Sequence, residues 1–280
     1  MAIQIITDST SDLSLTQQTE LGVEVIPLSV RFGDKEYLDG VTLSKEQFFK
    51  MLAECSTLPT TSQVSPGKFT DVFRNHINKG DEIIGIFISS KLSGTYQSAV
   101  IAKEVLDSES IYLVDSKTAT FGLALLVYEA VKMRSEGHSA SGICSAIGQL
   151  STRLKFYAAI DTLKYFKMGG RLSSSSAFLG TMLHIKPIIT ITDGLIVSFD
   201  KKKGLKQAIE RIAQQIAEEK PDDGYPMAFG DTDAPSLTQL LKDAVSAVVD
   251  VPSSETVTIG SVVGTHAGPG CTGVAYIARE

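Results

Sequence analysis

Long apolar runs are missing: nowhere in the 280 residues is there a stretch of about eighteen, the length a helix needs to cross a bilayer. No integral membrane association is therefore expected, and any membrane contact would be transient. Basic charge is also in short supply. Against 32 Asp and Glu stand 26 Lys and Arg, leaving a net charge of −6. That balance argues against the basic stripe a nucleic-acid surface requires. Cysteine is scarce too: Cys55, Cys144 and Cys271 lie far apart with no C-x-x-C pair. Such spacing disfavours zinc and fits reduced, buried thiols in a cytoplasmic protein. The opening "MAIQIITDST" has no basic segment ahead of an apolar one, so no cleaved leader is expected.

Familiar catalytic signatures are absent as well. There is no G-x-x-x-x-G-K-[ST], and "KLSGT" lacks the lysine and spacing of a P-loop. No G-x-G-x-x-G follows a strand, which removes the dinucleotide fingerprint. No G-x-S-x-G provides a nucleophile elbow. "ITDSTSD" opens like an aspartyl-phosphate phosphatase but lacks the second Asp two residues on.

What the chain does have is alternation. Apolar runs at Ile3 to Thr7, Val23 to Val30, "EIIGIFI" and "SIYLV" read as strands. Helical patterns separate them: Ser44 to Cys55, a helix started by Ser65 and Pro66, "GTYQSAVIAKEVL", and "TFGLALLVYEAVKMRSEG" closed by Gly137. This order predicts a doubly wound, mainly parallel sheet. Around Arg153 the rhythm changes. "KFYAAI" reads as a strand, and "HIKPIITI" and "GLIVSF" around "TDG" read as a hairpin. Helices near Leu205 to Glu219 and Ser236 to Val249 and two further β-like runs complete a second α/β domain. The expected division is 1–153 and 154–280.

Three strands of the first half end in loops of one character: "ITDSTSDL", "ISSKLSGT" and "VDSKTATF". Ligands of open α/β sheets bind outside the carboxyl ends of the strands. A crevice there would be lined by Asp8, Ser9, Thr10, Ser89, Ser90, Ser93, Asp115 and Ser116. The helix after Gly94 would add free amides, making an anion site from neutral donors. The same residues also suit plain helix capping, and both readings stand. "LPTTSQVSPG" likewise reads as a site or as a loop with a cap. "GSVVGTHAGPG" places His266 in a glycine-rich turn after a strand, where the backbone can approach a ligand closely. His76, His138 and His184 have no comparable setting.

Together these stretches resemble the DegV family of bacterial fatty-acid-binding proteins. The resemblance runs nearly end to end, through "ITDSTSDL", "PTTSQVSPGKF", "ISSKLSGTYQSA", "VDSKTATFGLALLV", "KYFKMGGRLS", "FLGTMLHIKPII" and "THAGPG". It implies two α/β domains, the second with a mixed sheet, and a long-chain fatty acid buried between or beneath them. The carboxylate would lie at the interface, held by Thr61, Ser62, Ser93, the Gly94 amide and His266. A separate fatty acid kinase catalytic subunit would convert that carboxylate to acyl phosphate with ATP, for phospholipid synthesis. The carrier itself would bind neither ATP nor any other cofactor. Arg171 would lie near the mouth, toward the transferred phosphoryl group or the kinase. The basic turn Lys201, Lys202, Lys203 would serve as a docking charge, or as an ordinary solvated hairpin end. The sequence departs from the family pattern at Val64, where proline is usual, and in "SSSSAFLG", which replaces a more basic linker.

The tail site is not legible in the residues: "FLGTMLHIKPII" and "TFGLALLV" suit a tunnel or solid core equally. A serine hydrolase or acyltransferase using Ser93, His266 and either Asp8 or Asp115 is the enzyme alternative. A small-anion sensor, or a binding module for another acyl carboxylate, is the third reading.

Overall fold

In this computed structural model, residues 2–172, 184–251 and 253–280 are described. β1 (Ile3–Asp8) leads through a 3₁₀ turn (Ser9–Ser11) to α1 (Leu15–Leu21), which Ser14 and Gln17 start with a reciprocal capping box. β2 (Val23–Ile26) follows. Val23 to Val30 is thus not one strand. Pro27 intervenes, and the chain resumes as β3 (Ser29–Phe32), in a different sheet. β4 (Lys35–Leu38), α2 (Lys45–Glu54) and β5 (Thr60–Ser62) come next. Ser65 caps α3 (Pro66–Ile77) through the Lys68 amide, with proline in the first turn. β6 (Glu82–Phe87), α4 (Thr95–Leu106), β7 (Ile111–Asp115), α5 (Thr120–Ser135) and α6 (Ala140–Arg153) complete this half.

The order β2-β1-β6-β7 forms a parallel four-stranded sheet. β6 is buried along Ile83 to Phe87, as a central parallel strand requires. One face packs against α3, α4 and the small antiparallel sheet β4-β3-β5, through Phe48, Phe69, Phe73 and Phe87. The other face carries α5 and α6, through Ile84, Ile86, Leu123 and Ile147.

The second half runs β8 (Leu154–Ala159), α7 (Lys164–Met168), β9 (Ile185–Thr192), β10 (Leu195–Lys203), α8 (Leu205–Glu219) and β11 (Met227–Asp231). It ends with α9 (Pro235–Ser246), β12 (Ser254–Thr258), α10 (Ser261–Ala267) and β13 (Thr272–Ile277). Its mixed six-stranded sheet has the order β10-β9-β8-β13-β11-β12. The β9–β10 hairpin turns on Asp193 (φ 50°) and Gly194 (φ 80°), the two left-handed residues that an Asp-Gly turn supplies. α8 and α9 cover one face of this sheet. The other face meets α5, where Phe121 stacks on Phe156 with ring centroids 4.7 Å apart. α5 is therefore wedged between the two large sheets, which explains its apolar surface on all sides.

Candidate functional site

Between these sheets lies a cavity of about 320 Å³ whose wall draws on both halves of the chain. From the first half come Thr61, Ser62 and Gln63 at the end of β5, and Ser93 and Gly94 before α4. From the second come Arg171, just after α7, and His266 on α10. Leu28, Ile88, Leu92, Ala119, Phe166 and Ile196 form the apolar wall. All but Leu28 belong to the core cluster between the sheets, so apolar packing backs the cavity on that side.

Local folding explains how the polar groups meet. β5 pairs antiparallel with β3, setting Thr61 opposite Val30. α10 packs against β3, β5, α2 and α7. His266 Nε2 thereby comes 2.9 Å from Thr61 Oγ1. Gln63 donates to Ser98 Oγ at 2.9 Å and lies so close to Gly94 that a Cβ there would fall 2.0 Å from Gln63 Oε1. Ser93 Oγ contacts Thr95 Oγ1 at 2.9 Å. Gly94 begins α4 without a side-chain cap, and its amide has no acceptor among the described residues. Arg171 is anchored by neutral groups: Nε donates to the Leu92 carbonyl at 3.3 Å and Nη1 to that of Gly169 at 2.6 Å.

Burial, with the nearby Arg171 charge adding to it, holds His266 down at about 4, so the ring is neutral at pH 7. Its Nδ1 is buried without a partner. A stranded N–H costs more than a stranded lone pair, which favours hydrogen on Nε2. Nε2–H then donates to Thr61 Oγ1, and the Thr61 hydroxyl hydrogen is left for a ligand. The result is a set of neutral O–H and N–H donors beside one cation that lacks a carboxylate partner among the described residues. Such a set can orient an anion without a buried ion pair.

The five residues expected to hold a carboxylate, and Arg171, thus line one cavity. The broader crevice behaves otherwise. Asp8 accepts from the Thr10 amide and hydroxyl and from the Ile88 amide. Asp115 accepts from Ser90 and from the Lys117 amide. Ser9 accepts from the Leu28 amide, and Ser89 donates to the Gly194 carbonyl. Of that strand-end set, only Ser93 lines the cavity.

Three expectations need correction. His266 lies within α10, not in a turn. Thr60 to Ser62 form a strand, not a loop. Lys201, Lys202 and Lys203 are not a turn but the last residues of β10, paired with Pro187, Lys186 and Ile185 and away from the cavity wall. The hydrolase arrangement is not formed, because His266 contacts Thr61 and Ser93 contacts Thr95. Of the candidate tunnel segment "FLGTMLHIKPII", residues 178–183 lie outside the described residues. Gln63, Leu28 and Phe166 were missed. Gln63 had one signal, its place in "TTSQ", whereas the apolar pair had none to separate it from core. Among the described residues, no cluster of His, Cys, Asp and Glu is arranged to hold a metal, and no helix could cross a membrane.

A DegV family model, described as an uncharacterised protein family, matches residues 2–279. A DegV domain-containing protein of Caldanaerobacter subterraneus is 36% identical over 275 residues, 98% of each chain. A fatty-acid-binding DegV family protein from Thermus thermophilus has a TM-score of 0.92 at 30% identity over 100% of both chains. A stearic acid-binding protein from Eubacterium ventriosum has a TM-score of 0.88 at 28% identity, covering 99% of this chain and 98% of that one.

Proposed function

This chain belongs to the DegV family, and on that premise we propose that it binds a long-chain fatty acid and presents the carboxylate to a separate, ATP-dependent fatty acid kinase subunit. The observation that carries this reading is the cavity itself: Thr61, Ser62, Ser93, Gly94 and His266 gather beside Gln63 and Arg171, and the rest of the wall is apolar. We take the chain as two units, 1–153 and 154–280, with the head group at their junction and the work done in the cytoplasm.

The tail supplies the affinity. At roughly 0.8 kcal/mol per buried CH₂, a sixteen-carbon chain offers about 12 kcal/mol before ordering costs. The head group then needs orientation more than strength. Hydroxyl and amide donors give a carboxylate about 1.5–3 kcal/mol each. An oxygen that is not locked in an arginine fork keeps its nucleophilicity toward ATP. Arg171, held by two carbonyls, has further N–H groups for the transferred phosphoryl group. Lys201, Lys202 and Lys203 would meet the kinase from the edge strand β10. Turnover belongs to the partner, and the carrier needs no cofactor.

Organic extraction of natively purified protein, followed by mass spectrometry, tests the reading. A stoichiometric fatty acid is expected, and adding kinase subunit and ATP should then yield acyl phosphate. An empty extract with no uptake of oleate or palmitate would overturn it.

A further inference from the structure

α10 carries His266 near one end, and its other end is held from across the molecule. Gly260 donates its amide to Asp12 Oδ1 at 2.7 Å. Ser261 donates its amide at 2.9 Å and its hydroxyl at 2.6 Å to Asp39 Oδ1. A Cβ at Gly260 would stand 2.8 Å from Asp12 Oδ1 and 3.1 Å from Asp39 Oδ1, so both carboxyls converge on one glycine. Lys45 Nζ closes the arrangement, donating to the Asp12 carbonyl at 3.1 Å and to the Thr258 carbonyl.

Asp12 and Asp39 are only 4% and 5% exposed, and buried carboxyls that converge on one glycine do not both ionise readily. Asp39 collects the donors, from Ser261 and Ser9, and these offset part of the burial that raises its pKa. Asp12 is pushed up to about 8, mainly by burial, against the pull of Lys45 and with a further push from Asp39. It therefore holds the proton at pH 7. The charged groups acting on the pair are Lys45 from α2 and Asp8 from β1. Arg171, beyond α7 on the other side of α10, acts on His266 instead.

We propose that Asp12 and Asp39 are positioning residues of the carboxylate site: they fix α10, and with it the cavity-lining Val262, Val263 and His266, and ionisation of Asp12 beside Asp39 loosens the ligand's hold. This rests on the fatty-acid reading.

The test uses the full chain, stripped of lipid and reloaded with oleate, as the parent and as Asp12→Asn, Asp39→Ala and Asp39→Asn. Oleate release is timed from about pH 7 to about pH 9, across the range in which Asp12 ionises. His266 imidazole NMR signals are followed without lipid. Parent release should quicken about tenfold over that range, with a His266 shift centred near Asp12's ionisation. Asp12→Asn should abolish both changes. Asp39→Ala should release oleate at pH 7 as fast as the parent does at pH 9, and Asp39→Asn should restore part of the hold. An unaltered pH profile in Asp12→Asn, or unchanged release and His266 signals in folded Asp39→Ala, overturns the proposal. If Asp39→Ala does not fold, Asp12→Asn decides alone. If the parent takes up no oleate, the fatty-acid reading falls, and the lipid-free His266 signals still decide the clasp.

Discussion

Two regions of the molecule share a composition and differ in what their hydroxyls do. At the ends of β1, β6 and β7, Asp8, Thr10, Ser90 and Asp115 spend their hydrogen bonds on one another and on nearby amides. Around the cavity, the Ser62 hydroxyl makes no hydrogen bond among the described residues, and the hydroxyls of Thr61 and Ser93 keep capacity beyond the bonds they make to His266 and to Thr95. On the proposed reading, polar groups that keep bonding capacity and also line the cavity serve the ligand. Where the bonds close locally, the same residues are structural.

Substitutions can break or sharpen that contrast. Asp8→Ala should have the largest effect, because three buried donors lose their acceptor. A loss of roughly 3 kcal/mol or more is expected in urea denaturation at pH 7. Asp8→Asn adds a sign. Burial raises the folded pKa of Asp8 from 3.8 to about 6, so its protonated form favours the fold fully below the lower value. That contribution drains away as pH rises through the higher one. The stability gap between the parent and Asp8→Asn should therefore narrow between those two values.

Thr61→Val comes next and should act on binding rather than folding. Oleate affinity should fall about tenfold, the equivalent of 1.4 kcal/mol, as read by displacement of a fluorescent fatty acid. Unfolding midpoints should barely move. Ser89→Ala reverses that pattern: it removes the bond to the Gly194 carbonyl and should cost about 1 kcal/mol of stability, with affinity kept within about twofold. Ser62→Ala should be the mildest, about twofold in affinity, since an exposed hydroxyl already has water as a partner. If Asp8→Ala were to weaken binding without unfolding the chain, the division between the two regions would collapse.

Much of the scaffold was legible because local chemistry decides it. Ser65 and Pro66 announce α3, Asp193–Gly194 announces the β9–β10 turn, and the periodic run Leu205–Glu219 is α8 as read. Elements that depend on distant partners were not legible. Thr60 to Ser62 become a strand only because β3 offers a free edge. Gly264 can sit in α10 because Phe48 and Phe49 press on it there, and a glycine-rich segment shows no such partner in its own sequence. α1 and α6 were not read from the pattern. The site residues followed from recurring hydroxyl-rich motifs and the family resemblance. The apolar wall did not, since Ile88 and Phe166 look the same in a cavity wall as in solid core.

The cavity wall runs from Leu28 to His266, so an occupant touches segments that are otherwise far apart in the chain. A ligand bound there is in effect an additional piece of the hydrophobic core, present only when the carrier is loaded. By mass action, ligand at a hundred times its Kd adds about 2.7 kcal/mol to the folded state. Loaded and empty carriers should thus differ in lifetime before a protease, with the empty one cut first.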